Sequence, residues 1–309
     1  MRPSTRQRLR LSGGTELSFI TAGEASRPAV LLLHGFPSSA RTFREVVPGL
    51  SQAAYVIAPD LPGFGESDVL PAVSFAALGQ AIAELLDRLG VGPRYLYLHD
   101  FGAPVGFHIA MQAPEQVLGL VVQNANAHRS GLGPPWAATM AYWSQPNADN
   151  EAAATAHLTF EGTRDQYLAG VPPEVAARIP ADNWEEAWRV MCLPGRMETQ
   201  RALIADYGRY VARFDAIAEY LARWQPPSLM LWGRHDAFFD LAETLSWMQA
   251  LPRMEVHVFD AGHFMLETHA AAAVSLMLDF IGRFQSSPLP ALASSERRRS
   301  ASASSSVET

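Results

Sequence analysis

Residues 95–110, YLYLHDFGAPVGFHIA, change period within a few positions. Residues 95–98 are apolar and β-prone, whereas residues 103–110 carry apolar side chains at helical spacing. His99, Asp100, Phe101 and Gly102 lie between them, so a strand turns sharply into a helix here. Junctions of this shape often hold a nucleophilic serine in the pattern G-x-S-x-G. In this chain Asp100 takes the central place, and Leu98 stands where the first glycine belongs. Taken alone, an aspartate in such a turn reads as a helix cap or a turn residue.

The alternation recurs along the chain. β-prone runs occupy 17–21, 29–33, 55–58, 95–98, 119–123, 228–232 and 255–259. Several are almost continuously apolar, as parallel strands buried on both faces are. Helical patterns fall at 41–50, 74–89, 103–112, 241–250 and 270–284. The order predicts an α/β fold, an open and mostly parallel sheet with helices on both sides. Residues 127–225 break the rhythm, because they separate two strands by far more than an ordinary connection. They carry Trp136, Tyr142, Trp143, Tyr167, Trp184, Trp188 and Tyr207, with helical stretches at 184–191 and 198–221, and read as a lid over the sheet. The predicted organisation is a core of residues 1–126 and 226–284, a helical lid of 127–225, and a disordered tail of 285–309. That tail is rich in Ser, Ala and Arg and has no periodicity.

Composition narrows the partners. The 309 residues are 48% hydrophobic and 18% charged, enough for a sizeable core. A formal net charge of −7 argues against a nucleic-acid partner, which needs a basic surface. Arg2, Arg6, Arg8 and Arg10 are followed by no apolar run, so neither a signal peptide nor a membrane span is expected. The single cysteine, Cys192, excludes an intrachain disulfide and fits a reducing cytoplasm.

In an open α/β sheet, chemistry gathers beyond the carboxyl ends of the strands. There HGFP, residues 34–37, follows one strand and Asp100 another. GRHDAFF places Asp236 just past the run at 228–232, and DAGHFMLE places His263 just past 255–259. Singly these residues read as a turn aspartate, an Asx turn and a surface histidine. In this chain order, and with HGFP, they read as nucleophile, acid and base. The pair His235–Asp236 has no clustered partners, so no metal is expected.

With HGFPSSARTF, APDLPGFGESD and LHDFGAPVG, these segments resemble the α/β-hydrolases that use an aspartate nucleophile, among them epoxide hydrolases and haloalkane dehalogenases. The resemblance runs from around residue 11 to residue 284. It implies an eight-stranded, mostly parallel sheet with the helical lid inserted after the sixth strand. An aspartate suits attack on an sp3 carbon. It is ionised at neutral pH, and the ester it forms can be cleaved by water, whereas a serine would leave an ether. In this reading His263 deprotonates the water that attacks the Asp100 ester, and Asp236 holds the imidazole tautomer. The resemblance gives the backbone N–H groups of Phe36 and Phe101 the oxyanion and implies a cis bond before Pro37.

The leaving group divides the branch. Epoxide hydrolases polarise the epoxide oxygen with two lid tyrosines. Tyr207, in DYGRYVARF, matches one, and Tyr142, in MAYW, the other, with Tyr167, in RDQYLAG, as its rival. Haloalkane dehalogenases usually place a tryptophan after the nucleophile, where Phe101 has no side-chain N–H. Many of them also carry Asn where Phe36 stands. Fluoroacetate-type dehalogenases have arginines where Phe101 and Pro104 stand. Leu98 points the other way, since epoxide hydrolases typically have Gly there. Trp143 and Tyr167 are expected to face the substrate, and Trp143 could donate to a halide. The sequence thus predicts a cytoplasmic, cofactor-free epoxide hydrolase acting on a small or medium apolar molecule, as a monomer or homodimer. A haloalkane or haloacid dehalogenase is the alternative. A ligand-binding protein with little turnover is the alternative of another class.

Overall fold

A computed structural model describes residues 4–284, so the expected tail at 285–309 lies outside the described residues. Eight strands form one sheet: β1 (Thr5–Arg10), β2 (Glu16–Ala22), β3 (Ala29–Leu33), β4 (Tyr55–Pro59), β5 (Arg94–His99), β6 (Val117–Gln123), β7 (Ser228–Gly233) and β8 (Glu255–Phe259). Their spatial order is β1-β2-β4-β3-β5-β6-β7-β8. β2 pairs antiparallel with β1 and β4, and every other neighbour pair is parallel. Every residue of β3, β5 and β7 is buried, as helices covering both faces require.

Alternate side chains feed two cores. Leu31, Leu33, Leu96, Leu98, Val122 and Trp232 pack on one face of the sheet. Val30, Leu32, Tyr95, Tyr97, Val121 and Leu231 pack on the other. Between β6 and β7 the chain leaves the sheet for a series of helices, among them Ala137–Ser144, Phe160–Leu168, Asp182–Met191, Arg196–Val211 and Phe214–Trp224. The helical pattern at 198–221 is therefore two helices. Among the described residues, no helix is long and apolar enough to cross a membrane.

β5 and the helix after it, Gly102–Gln112, settle the question raised by Leu98. Leu98 is fully buried, and its side chain fills space that a Cβ on Gly106 would occupy, 2.1 Å from Leu Cδ2. The turn tolerates a large residue at 98 because the helix is small one turn in. Gly106→Ala should therefore destabilise the fold by ~1–3 kcal/mol through overpacking. In a Leu98→Ala background, itself costing ~2–5 kcal/mol for the cavity, the same change should be nearly neutral. Urea unfolding of the four proteins of this cycle checks the coupling, and additive losses contradict it.

Candidate active site

Asp100 sits where β5 ends, with φ 49°, in the left-handed region that a non-glycine residue enters only at some cost. The turn is closed by the Ala103 N–H donating to the Asp100 carbonyl at 2.9 Å. It lifts the carboxylate towards the HGFP loop beyond β3, where the Phe36 N–H donates to Asp100 Oδ1 at 2.6 Å. Gly35 permits this approach, because a Cβ there would lie 2.3 Å from the Asp100 Cβ. The Phe36–Pro37 bond is cis. His34 braces the loop from within: Nδ1 donates to the Gly35 carbonyl at 3.0 Å and Nε2 accepts from the Leu61 N–H at 2.9 Å. Burial lowers its pKa and keeps it neutral.

Burial pushes the pKa of Asp100 up from the ordinary carboxylate value. The charge of His263 and the backbone N–H groups of Phe36 and Phe101 pull against that shift. Both N–H groups named for an oxyanion thus already face the Asp100 carboxyl group.

Asp236 and His263 come together from the loops after β7 and β8. His263 Nδ1 meets Asp236 Oδ2 at 2.7 Å, and both side chains are buried. Asp236 Oδ1 accepts from the N–H groups of Phe238 and Phe239 at 2.8 and 3.1 Å. His263 Nε2 is buried with no partner among the described residues. Its ring stacks on Phe239 at 5.2 Å and lies 4.7 Å from the ring of His99. His99 and Gln123 both contact the His263 carbonyl, at 3.2 and 3.0 Å. Burial lowers the pKa of His263, but the Asp236 charge, its hydrogen bond and the Asp100 charge outweigh this and leave the imidazole above an ordinary histidine.

Asn124, just beyond β6, is a functional candidate that the sequence reading missed. It has φ 37° and is fully buried. Its Nδ2 donates to Asp236 Oδ2 at 2.8 Å and to the Gly233 carbonyl at 3.1 Å, and its Oδ1 accepts from the Gly233 N–H at 2.9 Å. Its own carbonyl accepts from the Asp100 N–H at 3.3 Å. The signal was its place at the end of a strand between those that carry Asp100 and Asp236.

Asp100 opens on a cavity of about 180 Å³, lined mainly by aromatic side chains: Phe36, Phe101, Trp136, Tyr207, Phe238 and Phe239. His157 and Gln166 also line it and were not anticipated. Tyr207 is buried, and its hydroxyl has no partner in hydrogen-bond geometry among the described residues. The other three lid residues expected at the substrate are elsewhere. Tyr142 and Trp143 line a separate groove beside Asp206 and Arg209. Trp143 backs Tyr207 at 5.9 Å, and its indole N–H is committed to the Ile204 carbonyl at 2.8 Å. Tyr167 stacks on Phe264 at 4.1 Å and faces Ser38 and Glu267. Among the described residues, no three His, Cys, Asp or Glu side chains gather as a metal site would require.

Comparison with known proteins places this geometry in a family. Residues 28–270 match the family model described as alpha/beta hydrolase fold. An uncharacterised hydrolase of Saccharomyces cerevisiae is 32% identical over 86% of this chain and 93% of its own length. A cis-3-alkyl-4-alkyloxetan-2-one decarboxylase of Xanthomonas campestris is 28% identical over 90% of this chain and 96% of its own. Over 35% of this chain, a haloalkane dehalogenase of Bradyrhizobium diazoefficiens is 34% identical and covers 35% of its own length. An epoxide hydrolase 2 of Siraitia grosvenorii is 38% identical over a similar 35% of this chain and 34% of its own. With a family match over most of its length, the chain is a hydrolase of the α/β-hydrolase fold family, with epoxide hydrolases and haloalkane dehalogenases among its relatives.

Proposed function

We propose that the protein is an epoxide hydrolase that works through an ester on Asp100. The observation carrying this choice is a buried phenol that lines the cavity close to Asp100. Tyr207 presents an uncommitted hydroxyl. The two nearby indoles are spent: Trp136 donates to the Phe238 carbonyl at 2.7 Å and Trp143 to the Ile204 carbonyl at 2.8 Å. Phe101 has no polar atom to offer. An epoxide oxygen needs a proton as its bond to carbon breaks, which a phenol can give, whereas a halide leaves without one. The name of the Xanthomonas relative also points to a small strained ring containing oxygen.

In the first step an Asp100 oxygen bonds to an epoxide carbon, the carbon–oxygen bond breaks towards oxygen, and that oxygen takes the Tyr207 proton. In the second, His263 Nε2 removes a proton from water, and the hydroxide adds to the Asp100 carbonyl carbon. The oxyanion is held by the N–H groups of Phe36 and Phe101. Collapse expels the second diol oxygen, which takes the proton from His263. The proton lost as Asp100 reionises restores the Tyr207 hydroxyl. Asp236, fixed by Phe238, Phe239 and Asn124, steadies the imidazolium. The 180 Å³ aromatic cavity suits a small apolar epoxide.

His263→Gln should stall the second step. Intact-mass measurement of that variant should find one epoxide added after incubation with a small aryl epoxide, and nothing after incubation with a haloalkane. An adduct with the haloalkane alone overturns the proposal, and saturable binding without any adduct or turnover favours a ligand-binding protein. The charge arrangement adds a pH test. Asp100 helps to raise the His263 pKa, and esterification removes its charge, so the pKa should fall when the ester forms. NMR titration should place His263 above an ordinary histidine in the free enzyme and lower in Asp100→Asn, which mimics the uncharged ester. Ester hydrolysis in single turnover should lose rate on acidification, because protonated His263 is no base. Its acid limb should match the Asp100→Asn value rather than that of the free enzyme.

A further inference from the structure

Asn126, three residues beyond β6, is fully buried, and neither Oδ1 nor Nδ2 of its side chain has a partner among the described residues. A carboxamide left unpaired inside a protein is expensive and calls for an explanation. Two tyrosines one turn apart on the helix Arg196–Val211 converge on it. Tyr210 donates its hydroxyl to the Asn126 main-chain carbonyl at 2.5 Å, which sets the height of the helix above the strand end. Tyr207 brings its phenol beside the Asn126 side chain, close enough for the amide to favour the phenolate, yet no finished hydrogen bond joins them. Gly131 makes room on the other side, because a Cβ there would fall 1.8 Å from Asn126 Oδ1. With the Oδ1 edge turned to Gly131, Nδ2 is the edge left for the phenol.

We propose that Asn126 is a positioning residue for Tyr207: its Nδ2–H donates to the phenol oxygen and so aims the phenol hydrogen into the cavity. A hydroxyl oxygen that accepts from an amide turns its own hydrogen away from that amide. Tyr207 itself lines the cavity, with Trp136 and Trp143 packed against its ring at 4.8 and 5.9 Å. The same bond stabilises negative charge on the oxygen as Tyr207 gives up its proton, against the burial that pushes its pKa well above an ordinary phenol. The inference rests on Tyr207 as the acid of the proposed reaction. It adds a selectivity: a site tuned to deliver one proton favours oxygen leaving groups over halides.

The test measures the rate of ester formation at saturating aryl epoxide in the His263→Gln background, by intact mass. Tyr207→Phe should slow it about 100-fold, a typical general-acid contribution. Asn126→Leu should slow it about tenfold, the worth of one hydrogen bond. It should add nothing further in a protein that already carries Tyr207→Phe. Gly131→Ala, which displaces the carboxamide while keeping Asn126, should reproduce the Asn126→Leu loss and supplies the comparison if leucine prevents folding. The inference is overturned if the Asn126 and Tyr207 losses multiply as independent effects, or if Asn126→Leu and Gly131→Ala leave ester formation unchanged while Tyr207→Phe slows it. Full activity of Tyr207→Phe itself would overturn both the acid assignment and the inference built on it.

Discussion

The contact from the Phe36 N–H to Asp100 Oδ1 depends on much of the surrounding fold. It joins the loops after two neighbouring parallel strands, β3 and β5, so it exists only while their register holds. On one side the chain must pass within reach of a buried carboxylate, and only a residue without Cβ fits at position 35. On the other side Asp100 must adopt left-handed backbone geometry, which the turn into the following helix imposes. Strain of this kind persists only when the surroundings over-determine it. Here they do, because the Asp100 N–H is received by the Asn124 carbonyl and its own carbonyl caps the helix.

Asp236 extends the same logic to the next strands. Its two oxygens accept from Phe238, Phe239, Asn124 and His263, which leaves the carboxylate no freedom to turn. With Nδ1 held against a carboxylate, the proton of neutral His263 resides there and Nε2 is the basic atom. Asn124 reaches both sides of this arrangement, its carbonyl towards Asp100 and its carboxamide towards Asp236 and Gly233. One asparagine at the end of β6 therefore links the turn of Asp100 to the turn of Asp236.

How much of this could be read from the chain depends on what periodicity reports. Seven of the eight strands were visible because burial alternates or saturates along them. β1 was not: TRQRLR is almost wholly exposed and is held by its ladder to β2 and by the Arg6 ion pair to Asp60 at 2.6 Å, neither of which leaves an apolar pattern. Strand ends with turn residues exposed Asp100, Asp236 and His263 as a group. Leu98 looked anomalous only because its compensation, Gly106, lies eight positions away in the next element. The lid was harder. Aromatic side chains are common there, and which of them reach the cavity depends on how each helix is rotated. Tyr207 and Trp143 stack face to face, yet one lines the cavity and the other lies behind it. His157 and Gln166, polar residues with no motif around them, gave no signal at all.

Several of the buried polar atoms without a partner among the described residues lie close to Asp100. His263 Nε2, Tyr207 Oη and the Asn126 carboxamide all belong to the surroundings of Asp100, whereas the indole N–H groups of Trp136 and Trp143 are satisfied by main-chain carbonyls. A protein interior normally satisfies such groups, so the atoms left open beside Asp100 are places where a partner from outside can bind. The kinds of atom also differ in what they can do. Nε2 accepts a proton, Oη gives one, and the two stand on different elements, one on the loop after β8 and the other on the helix Arg196–Val211. That division matches a reaction in which a proton is delivered to one oxygen and withdrawn from another at separate steps, and it suits a halide less well because a halide needs no proton.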